Sequence, residues 1–137
     1  MSLFMDYLYK YGLHDCILDD LSFENGKFIF SFESGVYKLN SIGKETSLTN
    51  ACKMVLDVGA VKMSTISEYI VLHRIDNNYI YEVEYDEFIT KLVLHKMDVE
   101  QNYCSGFCNT VLLEGYVNDK KYKIIVSEIK EIDFIFD

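Results

Sequence analysis

A chain of 137 residues that is 50% hydrophobic and 26% charged is long enough to bury one core and too apolar to stay disordered, so one domain over residues 1–137 is expected. Its 13 basic against 22 acidic residues leave a formal charge of -9, which argues against nucleic acid or an anionic membrane as partner, since both demand basic surface. Proline is absent, so no Pro-rich linker divides the chain.

In chain order, Phe4, Tyr7, Leu8 and Tyr11 fall at helical spacing and predict a short first helix, with Gly12 as the residue that ends it. Leu13, His14 and Asp15 follow as a junction motif. Leu13 is expected to plug the core, the Asp15 carboxylate to accept backbone N–H groups at the turn, and the His14 imidazole to bond a carbonyl or a carboxylate.

Asn25-Gly26 is a strong type I′ turn signal. A two-residue loop there pairs Glu24 with Lys27, Phe23 with Phe28, Leu21 with Phe30 and Asp19 with Phe32, which gathers the apolar residues on one face. Ser34-Gly35 breaks the run, and residues 36–39 continue as a short strand. Residues 40–50, rich in Ser, Thr, Asn and Gly, read as a loop.

Cys52, Met54, Leu56 and Val58 alternate with more polar neighbours and predict a strand. Residues 69–75 form another, because Ile and Val dominate and Asp76-Asn77-Asn78 follows as a turn. Tyr79, Tyr81 and Val83 alternate after that turn and complete a second hairpin. A helix comes next, with Tyr85, Phe88, Ile89 and Leu92 as its apolar stripe, Asp86 and Glu87 in its first turn, and Lys91, His95 and Lys96 toward its end.

The last third is β. Residues 99–103 predict a strand, and residues 111–117 and 122–127 a hairpin around Asn118-Asp119. Its register sets Glu114 opposite Lys123 as a charge pair and Gly115 opposite Tyr122, whose ring can cover the glycine. Ile132, Phe134 and Phe136 alternate in a final strand. The sum is an α+β fold: a predominantly antiparallel, curved sheet of about seven or eight strands built from hairpins, with two helices.

Catalytic motifs are absent from this pattern. There is no glycine-rich phosphate loop and no Gly-x-Ser-x-Gly elbow, and His14, His73 and His95 lie in separate elements. Cys104 and Cys108 have three residues between them and no second Cys/His pair at a zinc spacing, so no metal and no cofactor is expected. Cys16 and Cys52 read as small buried residues. The start of the chain has no basic region followed by an apolar one, and no span is long enough for a bilayer, so a reduced, cytoplasmic protein is expected.

A short helix, then Leu13-His14-Asp15 leading into the first hairpin, resembles the start of a loose set of small bacterial domains that includes immunity proteins of polymorphic-toxin systems. The likeness covers mainly residues 7–32, with echoes in Leu112-Leu113-Glu114-Gly115-Tyr116 and in residues 129–136. It implies a protein that neutralises a cognate toxin by binding, and it transfers no catalytic residues. Immunity proteins are often acidic because many of their toxins are basic nucleases.

The expected function is therefore a non-catalytic binding protein with a basic protein partner. Tyr79, Tyr81, Glu82, Glu84, Asp86 and Glu87 form the candidate contact surface, where Tyr supplies area and the carboxylates steer a basic partner. Two alternatives stand beside it: a small-molecule or enzymatic domain with an aromatic-lined pocket in the curved sheet, and a structural or oligomeric module.

Overall fold

A computed structural model describes residues 10–106 and 108–137. Thirteen strands are described there: β1 (Tyr11–Gly12), β2 (Ile17–Leu18), β3 (Asp20–Glu24), β4 (Lys27–Phe32), β5 (Tyr37–Leu39), β6 (Glu45–Leu48), β7 (Cys52–Asp57), β8 (Ile70–Asp76), β9 (Tyr79–Glu82), β10 (Met97–Ser105), β11 (Thr110–Val117), β12 (Lys120–Val126) and β13 (Glu131–Phe136). A 3-10 helix, Met63–Glu68, precedes β8, and the helix α1, Tyr85–His95, lies between β9 and β10.

The tight turns set the framework. Asn25 and Gly26 both have positive φ, 51° and 77°, as a type I′ turn requires. The β3–β4 register follows: Glu24 meets Lys27, Phe23 meets Phe28 and Leu21 meets Phe30. Gly26 is needed twice over, because a Cβ on it would also lie 1.8 Å from the Gly59 carbonyl oxygen. Asn118 and Asp119, with φ of 48° and 69°, repeat the device between β11 and β12.

Pairing is antiparallel throughout, as expected, and the α+β class holds. The strands do not form one curved sheet of seven or eight. They form a three-stranded sheet (β1-β5-β6), a six-stranded sheet (β2-β10-β11-β12-β8-β9) and a four-stranded sheet (β13-β7-β4-β3). The division begins at Asp19. Ile17 and Leu18 pair with Asp98 and Met97 of β10, whereas Asp20 pairs with Ser31 of β4. Asp19 itself does not pair with Phe32. Its N–H donates to the Ser31 carbonyl at 2.8 Å, and its carboxylate accepts the Glu33 N–H at 2.7 Å. That bond is the compensation a buried carboxylate needs, since Asp19 is 8% exposed.

Other local readings change as well. Most of the first predicted helix lies outside the described residues, but Tyr11 and Gly12 are strand, paired with Lys38 and Tyr37, and Gly12 is not in the left-handed conformation of a helix-ending glycine. Residues 40–50 are not all loop, because β6 pairs with β5. Glu114 stands opposite Lys123 as predicted, yet its ion pair is the diagonal one to Lys121, at 2.7 Å, and that hydrogen bond holds the Lys121 amine above its ordinary pKa. Gly115 does face Tyr122, but its lack of a side chain serves β10: a Cβ would lie 2.1 Å from the Asp98 carbonyl oxygen, beside the β10 bulge between Val99 and Gln101.

One apolar cluster joins the two larger sheets. Phe28, Phe30 and Phe32 of β4 and Met54 and Leu56 of β7 belong to it, with Leu113 of β11 and Tyr122 and Ile124 of β12. Helix α1 adds Phe88 and Leu92, packs against β3 and β11, and sets the Phe88 ring 5.4 Å from that of Tyr122. Burial of this kind supplies most of the drive to fold.

Candidate partner-binding face

The β8–β9 hairpin turns at Asn77, whose φ is 55°, and pairs Asp76 with Tyr79, Ile75 with Ile80, Arg74 with Tyr81 and His73 with Glu82. Alternation puts Tyr79 and Tyr81 on one side with Arg74, and Ile80 and Glu82 on the other with His73. Strand β9 ends the six-stranded sheet, and all four of its residues are exposed. Tyr79 is 68% exposed, Ile80 63% and Tyr81 44%, an unusual run of large side chains to leave in water. The Arg74 guanidinium lies 4.6 Å from the Tyr81 ring centroid, and the Tyr79 ring is 6.5 Å from that of Tyr81.

The carboxylates extend this surface into the helix. Glu84 is the residue before α1, and Asp86 and Glu87 occupy its first turn, where negative charge suits the helix dipole. Glu82, Glu84, Asp86 and Glu87 are all exposed. Glu87 shares its charge with Lys91 one turn on, at 3.5 Å. The six residues singled out from sequence thus lie on one edge strand and the helix start that follows it.

A cleft of about 440 Å³ opens beside them. Ile66, Ile70 and Leu72 contribute apolar lining, and Glu82, Glu84 and Tyr85 polar lining. Among the described residues the buried Tyr85 hydroxyl has no hydrogen-bond partner. Burial, with Asp20 and Asp86 adding repulsion, pushes its phenol up to about 12. Arg74, Ile80 and this cleft escaped the sequence reading. The cleft needs the 3-10 helix beside β8, a contact that no local pattern announces.

The junction motif follows the expectation at Leu13 and His14 and departs from it at Asp15. Leu13 is fully buried, and its N–H donates to the Asn102 side chain at 3.3 Å. Asp15 has φ of 62° and uses its backbone, donating its N–H to the Val99 carbonyl at 2.8 Å. Its carboxylate is directed to His14, 3.3 Å from Nδ1, and Glu45 of β6 lies 3.4 Å from the same nitrogen. His14 is 52% exposed, so these contacts sit in solvent.

The remaining reactive groups are dispersed. Cys16 and Cys52 are buried, and burial pushes both thiols up to about 11; Cys104 is raised by the same cause, and Cys108 is exposed. Cys16, Cys52 and Cys108 carry free thiols. A second cleft, of about 670 Å³, includes Glu68, Tyr69, Cys108, Asn109, Glu128 and Lys130 in its lining. Among the described residues, neither cleft is lined by a histidine, and each has a single aromatic residue. Among the described residues, no three His, Cys, Asp or Glu side chains converge as a metal site would need, and no helix is long and apolar enough to cross a membrane. No protein family, curated protein or solved structure matches the chain.

Proposed function

We propose that this chain is a non-catalytic binding protein of the bacterial cytoplasm that neutralises a basic toxin by covering its working surface. The observation that carries this reading is the β9 edge strand and the helix start that follows it. Tyr79, Ile80 and Tyr81 stay exposed there beside four carboxylates. Exposed aromatics provide contact area at small entropic cost, and a negative rim accelerates encounter with a positive partner. The charge of -9 extends that attraction beyond the patch. Free thiols at Cys16, Cys52 and Cys108 suit a reducing compartment. The likeness of Leu13-His14-Asp15 and the hairpin after it to the start of immunity proteins supplies the partner class.

Co-expression with the product of the adjacent gene is the test. The reading expects the two proteins to co-purify and the host to be rescued from the toxicity of the neighbour alone. Neither association nor rescue would contradict it.

A further inference from the structure

We infer that β9 takes its partner by strand addition: an extended, Lys- or Arg-bearing segment of a partner protein pairs with the outward backbone of Ile80 and Glu82 and becomes a seventh strand of the six-stranded sheet. This deepens the proposed binding function and rests on it.

The backbone argument comes from register. Val83 donates its N–H to the Leu72 carbonyl at 2.9 Å. Antiparallel partners alternate between bonded and non-bonded pairs, so Tyr81 and Tyr79 also turn their amides toward β8, and Ile80 and Glu82 turn theirs away. Among the described residues β9 has no second neighbour. Exposed edges are ordinarily blunted by charged side chains, above all lysine, by proline, by a bulge or by extreme shortness. Strand β9 reads Tyr-Ile-Tyr-Glu, pairs in unbroken register, and of these has only the charge of Glu82. Two other edges of the two larger sheets are guarded. Strand β2 has two residues, and β3 has α1 packed against it.

The charge argument chooses the occupant. A strand laid along β9 passes Glu82 and approaches Glu84, Asp86 and Glu87, so basic side chains are favoured and acidic ones repelled. The 440 Å³ cleft suits a long cationic side chain, whose alkyl stem lies on Ile66, Ile70 and Leu72 while its head meets Glu82 or Glu84. A second copy of this chain would bring another charge of -9 to the same edge.

The experiment uses the whole chain and the peptide acetyl-Lys-Val-Lys-Val-Lys-Val-Lys-amide. Its controls are the Glu-for-Lys analogue and a version N-methylated at alternate residues, which keeps the charge and removes one backbone edge. Binding is followed by calorimetry and by hydrogen exchange of the Ile80 and Glu82 amides. Strand addition expects binding that protects both amides, is weakened about tenfold or more by N-methylation, and is abolished by the acidic analogue. Glu82→Pro, which removes an outward donor, is expected to weaken it as much; the N-methylated peptide gives the same test on an unaltered protein. Equal affinity for the N-methylated peptide, with both amides still exchanging, would overturn strand addition and leave a binding face. No binding of the basic peptide would overturn both. Protection of the same amides by self-association, measured by light scattering without peptide, would overturn the basic occupant.

Discussion

The Asp19 carboxylate accepts the Glu33 backbone N–H at 2.7 Å, across fourteen residues of sequence. It holds the point where the chain leaves the six-stranded sheet for the four-stranded one. The Asp19 carbonyl also receives the Lys96 amine at 3.4 Å, at the end of α1. Asp19→Ala leaves a part-buried amide without its acceptor, so a loss of about 1–3 kcal/mol is expected in urea unfolding. A midpoint equal to the parent's would remove Asp19 from the account of the junction.

Gly115 tests the bulged edge of β10. A methyl group there would meet the Asp98 carbonyl oxygen, which is backbone and cannot swing aside. Gly115→Ala is expected to cost about 1–3 kcal/mol, although alanine suits an ordinary strand better than glycine. A stabilised variant would mean that the Gly115–Asp98 approach is looser than described.

Much of this fold was legible in local pattern, and the reason is the turns. Asn25-Gly26 and Asn118-Asp119 demand positive φ, a two-residue loop then dictates register, and register dictates which side chains face the core. Sheet membership was not legible. Nothing in Ile17-Leu18-Asp19-Asp20 signals that two adjacent strands join different sheets, because the choice is made by β10 and β4 far along the chain. Strand β6 was missed because all four of its residues are exposed and so carry no alternation. The acidic and aromatic residues from Tyr79 to Glu87 were visible as composition. That β9 is an edge depends on strand order, which emerges only in three dimensions.

The junction motif separates packing from charge. Leu13→Ala removes a fully buried side chain and is expected to cost about 2–5 kcal/mol. His14→Ala breaks only exposed contacts and is expected to change stability by less than about 1 kcal/mol. Asp15→Val is the instructive third variant, because a β-branched residue at a φ of 62° is strained; a melting point below that of Asp15→Gly is expected. The reverse order would contradict the positive φ at Asp15.

The buried thiols make stability fall in alkali. Cys16 and Cys52 hold their protons to about pH 11 when folded, against an ordinary value of 9.0. Above pH 9 the unfolded chain therefore releases protons that the folded chain keeps. Their contribution is complete below pH 9 and is lost as pH rises toward 11. The melting temperature is expected to drop between pH 8.5 and 10.5, and to drop less steeply in Cys52→Ala. In the native protein at pH 8, a thiol reagent is expected to label Cys108 first and to leave Cys16 and Cys52 untouched until unfolding. Equal slopes, or early labelling of Cys52, would contradict that burial.

The most direct measurement of the central claim is a calorimetric titration of the chain with the product of the adjacent gene, repeated with a Tyr81→Ala/Glu82→Lys double variant and at two salt concentrations. Both substituted residues are exposed on β9, so the fold should survive, and circular dichroism and a melt confirm it. The account predicts tight binding by the parent chain, weakening with salt, and a loss of about a hundredfold or more in the variant, as for removal of an interface anchor and a steering charge together. Undiminished affinity in a folded double variant would place the binding surface elsewhere and contradict the account.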